Sequence, residues 1–327
     1  MAPESRLGLA DQELCHVLRS TLDAIGQTPL VELSRMTKGL EGRLLAKLEY
    51  LNPGLSKKDR IARQIIEDAE ANGTLRPGQT VVELTSGNTG TGLAIVCAVK
   101  GYPIVAVMSK GNSEERARMM RALGAEVILV DQHPESQPGY VSGGDLELVQ
   151  QETSRIVIER RGFRADQFHN ASNFRAHYLH TAMEILTQTG GHINAFCDFV
   201  GSGGTFAGCA ARFKEHDPSI QCFIVEPTGC AVLAGNSVSD ARHRIQGGGY
   251  SAGELEMIRR ADVDGYLQVT DEEAIATARR LARGEGIFAG FSSGANVAAG
   301  LKLLPNGTVV TLINDSGLKY MTTELWA

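Results

Sequence analysis

At 327 residues, with 43% hydrophobic and 21% charged side chains, the chain has room for two domains or one large α/β unit and enough apolar material for a sizeable core. A formal net charge of -6 argues against general nucleic-acid affinity, which needs a basic face, and no apolar run approaches the length of a membrane span. Met1 to Asp23 is polar and lacks the basic-then-apolar order of a signal peptide, so a soluble cytoplasmic protein is expected.

In chain order, apolar strand candidates fall at Leu44–Tyr50, Thr80–Leu84, Ile104–Met108, Val127–Val130, Phe196–Val200, Cys222–Val225, Tyr266–Val269 and Val309–Ile313. Helical patterns lie between them at Ile61–Asn72, Gly90–Lys100, Glu114–Leu123, Asp145–Arg161, Arg175–Thr189, Glu272–Gly284 and Gly294–Leu303. Strands separated by helix-length crossovers predict parallel sheets covered on both faces. Two segments break the rhythm. His133 to Gly144, with Pro134, Pro138, Gly139, Gly143 and Gly144, reads as a surface loop near a domain boundary, and Gln246 to Ser251 is a second Gly-rich break. The six cysteines (15, 97, 197, 209, 222 and 230) form no CxxC pair and several lie in apolar runs, so buried free thiols are expected. The eight histidines show no HExxH spacing, and no metal is implied.

Four short segments carry candidate chemistry. Asn52-Pro53-Gly54 is a turn, Ser56 is a candidate N-cap, and Lys57, Lys58, Asp59 and Arg60 open the helix that follows. Taken alone, a lysine at a helix start is usually a solvated surface charge. Thr85-Ser86-Gly87-Asn88-Thr89-Gly90 joins a strand to a helix, where backbone N–H groups and hydroxyls make an anion site. Gly201-Ser202-Gly203-Gly204-Thr205 has the same strand–loop–helix setting, yet it is neither a Walker loop nor a dinucleotide GxGxxG. Gly290-Phe291-Ser292-Ser293-Gly294 fits the GxSxG of a hydrolase nucleophile elbow, but no histidine follows His243 to complete that machinery.

A lysine beside small hydroxyl and amide donors suits a carbonyl cofactor held as a Schiff base. In order and spacing, the segments resemble the fold-type II pyridoxal-phosphate enzymes of the cysteine synthase and cystathionine β-synthase family. The resemblance runs from Ile25-Gly26-Gln27-Thr28-Pro29-Leu30 to Asp315-Ser316-Gly317. It implies an α/β fold of two doubly wound, mostly parallel sheets with helices on both faces. The large domain would span 1–45 and 160–327, and a small mobile domain 46–159 would grip the substrate carboxylate.

On the same resemblance Lys58 carries pyridoxal 5'-phosphate. Asn88 meets the cofactor's phenolic oxygen, Gly201, Ser202, Gly203, Gly204 and Thr205 cradle its phosphate, and Ser292 meets its pyridine nitrogen. Thr85, Ser86, Thr89 and Gln167 would hold the carboxylate of the amino-acid substrate. Ser202 stands where the family has threonine, which keeps the hydroxyl. Lys57 stands where an apolar residue is usual; it is expected to point to solvent, the alternative being that it lowers the charge affinity of its neighbour.

The implied reaction is β-replacement on an activated serine through an aminoacrylate intermediate, with O-acetylserine and sulfide giving L-cysteine. The alternatives are O-phosphoserine or serine as donor, another nucleophile (the cystathionine or diaminopropionate synthase type), a β-eliminating dehydratase, or a non-catalytic binding relative. Intact Lys58, Asn88 and Ser292 argue against the last. Gly247-Gly248-Gly249-Tyr250 lies nearer the cystathionine synthase pattern, and Arg244 is either a phosphate-leaving-group contact or a surface arginine. A homodimer acting on small molecules is expected.

Overall fold

The computed structural model describes residues 17–136, 141–240, 242–251 and 253–327. Most of the N-terminal stretch, Cys15 and part of the predicted 133–144 loop lie outside the described residues. Along the chain run β1 (Leu30–Glu32), β2 (Arg43–Lys47), α1 (Lys58–Ala71), β3 (Val81–Leu84), α2 (Asn88–Lys100), β4 (Ile104–Ser109), α3 (Glu114–Ala122), β5 (Glu126–Val130), α4 (Gly143–Arg160) and β6 (Phe163–Arg164). There follow α5 (Ala171–Ala176), α6 (Ala182–Thr189), β7 (Ala195–Phe199), α7 (Gly204–His216), β8 (Gln221–Pro227), β9 (Gly265–Val269), α8 (Asp271–Glu285), α9 (Phe291–Leu303) and β10 (Thr308–Leu312).

The strands form a six-stranded sheet in the order β1-β2-β10-β7-β8-β9 and a four-stranded sheet in the order β5-β4-β3-β6. Among the described strands the β1–β2 pair is antiparallel and the other pairs are parallel. Alternation along β7 shows why its run is apolar throughout. Ala195, Cys197 and Phe199 face a core shared with α8 and α9, while Phe196 faces a second core shared with α6 and α7. The small sheet is covered in the same way. Val81, Ile104 and Ala106 pack on α1 and α2, and Val82, Leu84, Val105 and Val107 pack on α4. The α/β expectation of two mostly parallel sheets with helices on both faces therefore holds.

Local departures have local causes. Lys57, in αR conformation, is the N-cap residue of α1, while the Ser56 hydroxyl still accepts from the Lys58 N–H at 3.3 Å. The predicted helix Arg175–Thr189 begins earlier, at Ala171, where the Asn170 side chain accepts from the Ser172 N–H. It is interrupted by a π turn at His177–Thr181. Cys97, Cys197, Cys209, Cys222 and Cys230 are free and buried. Among the described residues no helix is long and apolar enough to cross a membrane.

The C-terminal ends of β3, β7 and β10 converge. Ligands of open α/β sheets bind at such ends, because the helices that follow present their N-termini there.

Candidate active site

Lys58 is the first residue of α1 and lines a cleft together with Ser86, Asn88, Gln167, Ser202 and Ser292. The turn before it is locked from behind: the Gly54 N–H donates to the buried Asp59 carboxylate, and the Lys319 ammonium donates to the Gly54 carbonyl at 2.7 Å. Burial, then the neighbouring Lys57 cation, pushes the Lys58 amine down to about 7, against the opposing pull of Asp198 and Asp315. Near neutral pH a large share of this amine is uncharged, the form that acts as nucleophile or base.

Lys57 does not point to solvent. Its ammonium lies inside the cleft wall, 2.8 and 2.9 Å from the two carboxylate oxygens of Asp198, with the two side chains 9% and 1% exposed. The Asp198 carboxylate also accepts from Asn296 Nδ2 at 3.0 Å. A readable signal for this pair lay in the sequence. Asp198 is a lone charge inside the apolar run Phe196–Val200, and a charge on a strand buried on both faces requires a partner.

The 201–205 loop caps α7, with Gly203 at φ +82° as the N-cap residue. Side-chain-free backbone is needed here, since a Cβ on Gly201 would collide with the Gly247 carbonyl and one on Gly204 with Asn173. The buried Asn173 amide donates to Ser202 Oγ and to the Gln167 carbonyl, each at 2.8 Å. Ser202 thus accepts from Asn173 and keeps its own hydrogen free for a ligand. Thr205 Oγ1 lies 3.1 Å from His177 Nε2, and His177 Nδ1 lies 2.9 Å from Thr181 Oγ1. Burial beside Lys57 and Arg60 holds that imidazole well below its usual range, hence neutral.

In the 85–90 loop, Ser86, Asn88 and Thr89 line the cleft. Thr85 Oγ1 instead accepts from the Gly87 and Gly90 N–H groups, at 2.9 and 3.0 Å, and so shapes the loop from within. Thr89 Oγ1 donates to Gln167 Oε1 at 2.6 Å, which brings these two distant positions together. Gln167 is held in turn by its own donation to the Leu84 carbonyl and by the buried Glu83, whose carboxyl is pushed up to about 7 by burial. Arg116 of α3 backs the loop. It is buried, donates to the Ser86 carbonyl at 2.7 Å, and lies over the Tyr320 ring at 4.8 Å. No carboxylate among the described residues pairs with it.

At the end of β10, Asn314 Nδ2 donates to Ser292 Oγ at 3.1 Å. Asn88 is fixed by two partners: Lys319 donates to its Oδ1 at 2.6 Å, and its Nδ2 donates to Asp315 at 2.8 Å. Sequence reasoning missed Asn173, His177, Arg116, Asn314 and Lys319. None stands in a motif, and each acts by orienting a residue that does.

The donor set suits pyridoxal phosphate. One loop offers N–H and hydroxyl donors to a phosphate, a partly neutral amine can bond an aldehyde, and a neutral hydroxyl suits an unprotonated ring nitrogen. The buried Asn173 Oδ1, Asn314 Oδ1 and Asp315 Oδ1 atoms around the cleft have no hydrogen-bond partner within the protein.

A second cavity of about 270 Å3 shares Ser86, Gln246, Gly247 and Tyr250 with the cleft. Arg244 lies on its wall. Its backbone N–H donates to Asp271, and its guanidinium meets Glu324 at 2.8 Å.

The family described as pyridoxal-phosphate dependent enzyme matches residues 21–315. Cysteine synthase 3 of Caenorhabditis elegans is 39% identical over 313 residues, covering 93% of this chain and 89% of that protein. The crystal structure of cysteine synthase from Entamoeba histolytica superposes with a TM-score of 0.86 at 33% identity, covering 98% of this chain and 94% of that one. The O-acetylserine-dependent cystathionine β-synthase of Helicobacter pylori gives a TM-score of 0.87 at 30% identity, covering 95% and 100%.

Proposed function

The chain belongs to the pyridoxal-phosphate-dependent enzymes of the cysteine synthase and cystathionine β-synthase type, and we propose that it replaces the β-substituent of an activated serine, converting O-acetylserine and sulfide to L-cysteine. Lys58 carries this reading: its amine opens α1 inside the one cleft that also holds the 85–90 and 201–205 loops.

Pyridoxal phosphate, when bound, supplies the electron sink for bond breaking at the substrate's α-carbon. Lys58 would remove the substrate's α-proton at Nζ and later return one. Gly201, Ser202, Gly203, Gly204 and Thr205 would hold the phosphate through backbone N–H groups and hydroxyls at the α7 N-terminus. Ser86, Thr89 and Gln167 bind the substrate carboxylate, with Thr85 keeping the loop in shape. Asn88 would meet the phenolic oxygen, and Ser292 would meet the ring nitrogen as a neutral group. The small domain, placed at 46–159 by the resemblance, would close over the substrate and exclude water, with β6 (Phe163–Arg164) completing its sheet and Ala46 and Lys47 belonging to β2 of the large sheet. A homodimer in the cytoplasm completes the reading.

One observation favours a second acceptor class. The adjoining cavity of about 270 Å3 is far larger than sulfide needs, given roughly 30 Å3 for a water in the liquid. An amino-acid-sized nucleophile would fit there.

The test is the visible spectrum of purified protein titrated separately with O-acetylserine, O-phosphoserine and serine, followed by sulfide or a larger thiol. A donor that displaces the resting band, with acetate released and cysteine formed on adding sulfide, is the expected result. A band unmoved by every donor would remove the β-replacement reading.

A further inference from the structure

We propose that Lys57, pinned by Asp198 and Asn296, is a positioning residue for Lys58: a fixed cation in the cofactor cleft that keeps the neighbouring amine in its uncharged form. This rests on the assignment of Lys58 as the cofactor-bearing lysine and adds a residue with no part in that assignment.

The geometry leaves Lys57 little freedom. Its backbone N–H donates to the Asn314 carbonyl at 2.9 Å, and its ammonium sits on both oxygens of Asp198. Asp198 is itself anchored, since Asn296 Nδ2 donates to it and also to the Leu312 carbonyl at 2.9 Å, while Asn296 Oδ1 accepts the Phe199 N–H at 2.6 Å. The cation is therefore tied to the ends of both β7 and β10.

Such a buried pair adds little net stability over an apolar pair of the same shape. Its consequence falls on the charges around it. Facing Lys58 are Lys57 from its own segment, Asp198 from β7 and Asp315 from the loop after β10. His177 in the π turn is buried close to both lysines and is held neutral, so it contributes no compensating charge. Burial and the Lys57 cation act in one direction on Lys58, and the two carboxylates act in the other. An anion bound by the 201–205 loop would add to the carboxylates and favour a protonated Lys58. Lys57 opposes that pull from inside the same cleft.

The test compares wild type with Lys57→Met, Lys57→Arg and the double variant Lys57→Met/Asp198→Asn. Borohydride reduction of the holoenzyme and peptide mapping first locate the covalent cofactor. A separate, unreduced sample of the full-length protein is stripped of cofactor, and the pH midpoint for labelling of Lys58 by an amine reagent is read by mass spectrometry. The acid limb of kcat is measured on the holoenzymes.

Lys57→Met should raise both midpoints by one pH unit or more, a drop in the neutral fraction of Lys58 at pH 7 from about half to about a tenth. Lys57→Arg should leave them in place, and the double variant should fall between. If Lys57→Met does not fold, the upward shift in the double variant decides. Midpoints in Lys57→Met and the double variant that stay at the wild-type value would overturn the proposal. Cofactor mapped to a residue other than Lys58 would overturn the functional reading instead.

Discussion

Asn173→Ala offers the sharpest check on the phosphate loop, because one buried amide serves two segments. Its Nδ2 donates to Ser202 Oγ and to the Gln167 carbonyl, both at 2.8 Å. Removing it deletes two hydrogen bonds and leaves the Gln167 carbonyl without that donor. At about 1 kcal/mol per bond and roughly 1–3 kcal/mol for a buried polar group left unpaired, the folded protein should lose about 3–5 kcal/mol. Part of the loss should appear in cofactor affinity, since the Ser202 hydroxyl is no longer oriented with its hydrogen outward. One bond's worth corresponds to a rise of about fivefold in the cofactor dissociation constant. Denaturant unfolding of the cofactor-free protein measures the first quantity, and equilibrium dialysis against pyridoxal phosphate measures the second. A variant destabilised as expected but with unchanged cofactor affinity would refute the reasoning, by showing that Ser202 orientation is irrelevant to phosphate binding.

Other outcomes follow from the site. The kcat of the wild-type holoenzyme should have an acid limb centred near pH 7 and fall about tenfold per unit below it, because the Lys58 amine must be uncharged to take a proton; a flat profile from pH 5 to 8 would rule out that role. Gln167→Ala removes the partner of Thr89 and should raise the donor KM about tenfold with a smaller change in kcat, whereas an unchanged KM would separate Gln167 from the carboxylate. Burial raises the Asp59 carboxyl from 3.8 to about 7, so its contribution to stability is present below pH 3.8 and is lost as pH rises through about 7. The stability of Asp59→Asn relative to wild type should therefore improve from pH 4 to 8 in urea melts, and a difference independent of pH would contradict it.

The parts of the fold that the sequence made legible are those where one physical requirement dominates. Strands buried on both faces read as apolar runs, so β3, β4, β7 and β10 stood out, whereas β1 at three residues and β6 at two are too short for any periodicity. The loops ending β3 and β7 were legible because an anion cradle demands Gly and hydroxyl residues ahead of a helix. Arg116 was not, since an arginine in an amphipathic helix normally marks the solvent face and here lies buried beneath Gly87. Lys57 was misjudged for a related reason. Its partner Asp198 lies 141 positions away, and the lone charge in an apolar strand demands a cation without saying which one. The π turn was missed because it moves the buried positions by a single place, from 172, 173, 176 and 177 to 181, 182, 185 and 186, a step too small to break a helical reading.

That turn sets the phase between two ends of a single helical segment. Asn173, upstream of it, and His177, its first residue, are aimed at the 201–205 loop. Downstream, Glu184 reaches Arg60 and Lys47, and Gln188 also accepts from Lys47. Each residue of an α-helix advances the face by about 100°. Deleting one residue between His177 and Thr181 would give a more regular helix whose two ends could not both stay in register. Either the cradle or the ion-pair cluster at the start of α1 would have to turn away. The inserted residue thus acts as a mechanical coupling, joining the loop meant for the phosphate to the helix that carries Lys58.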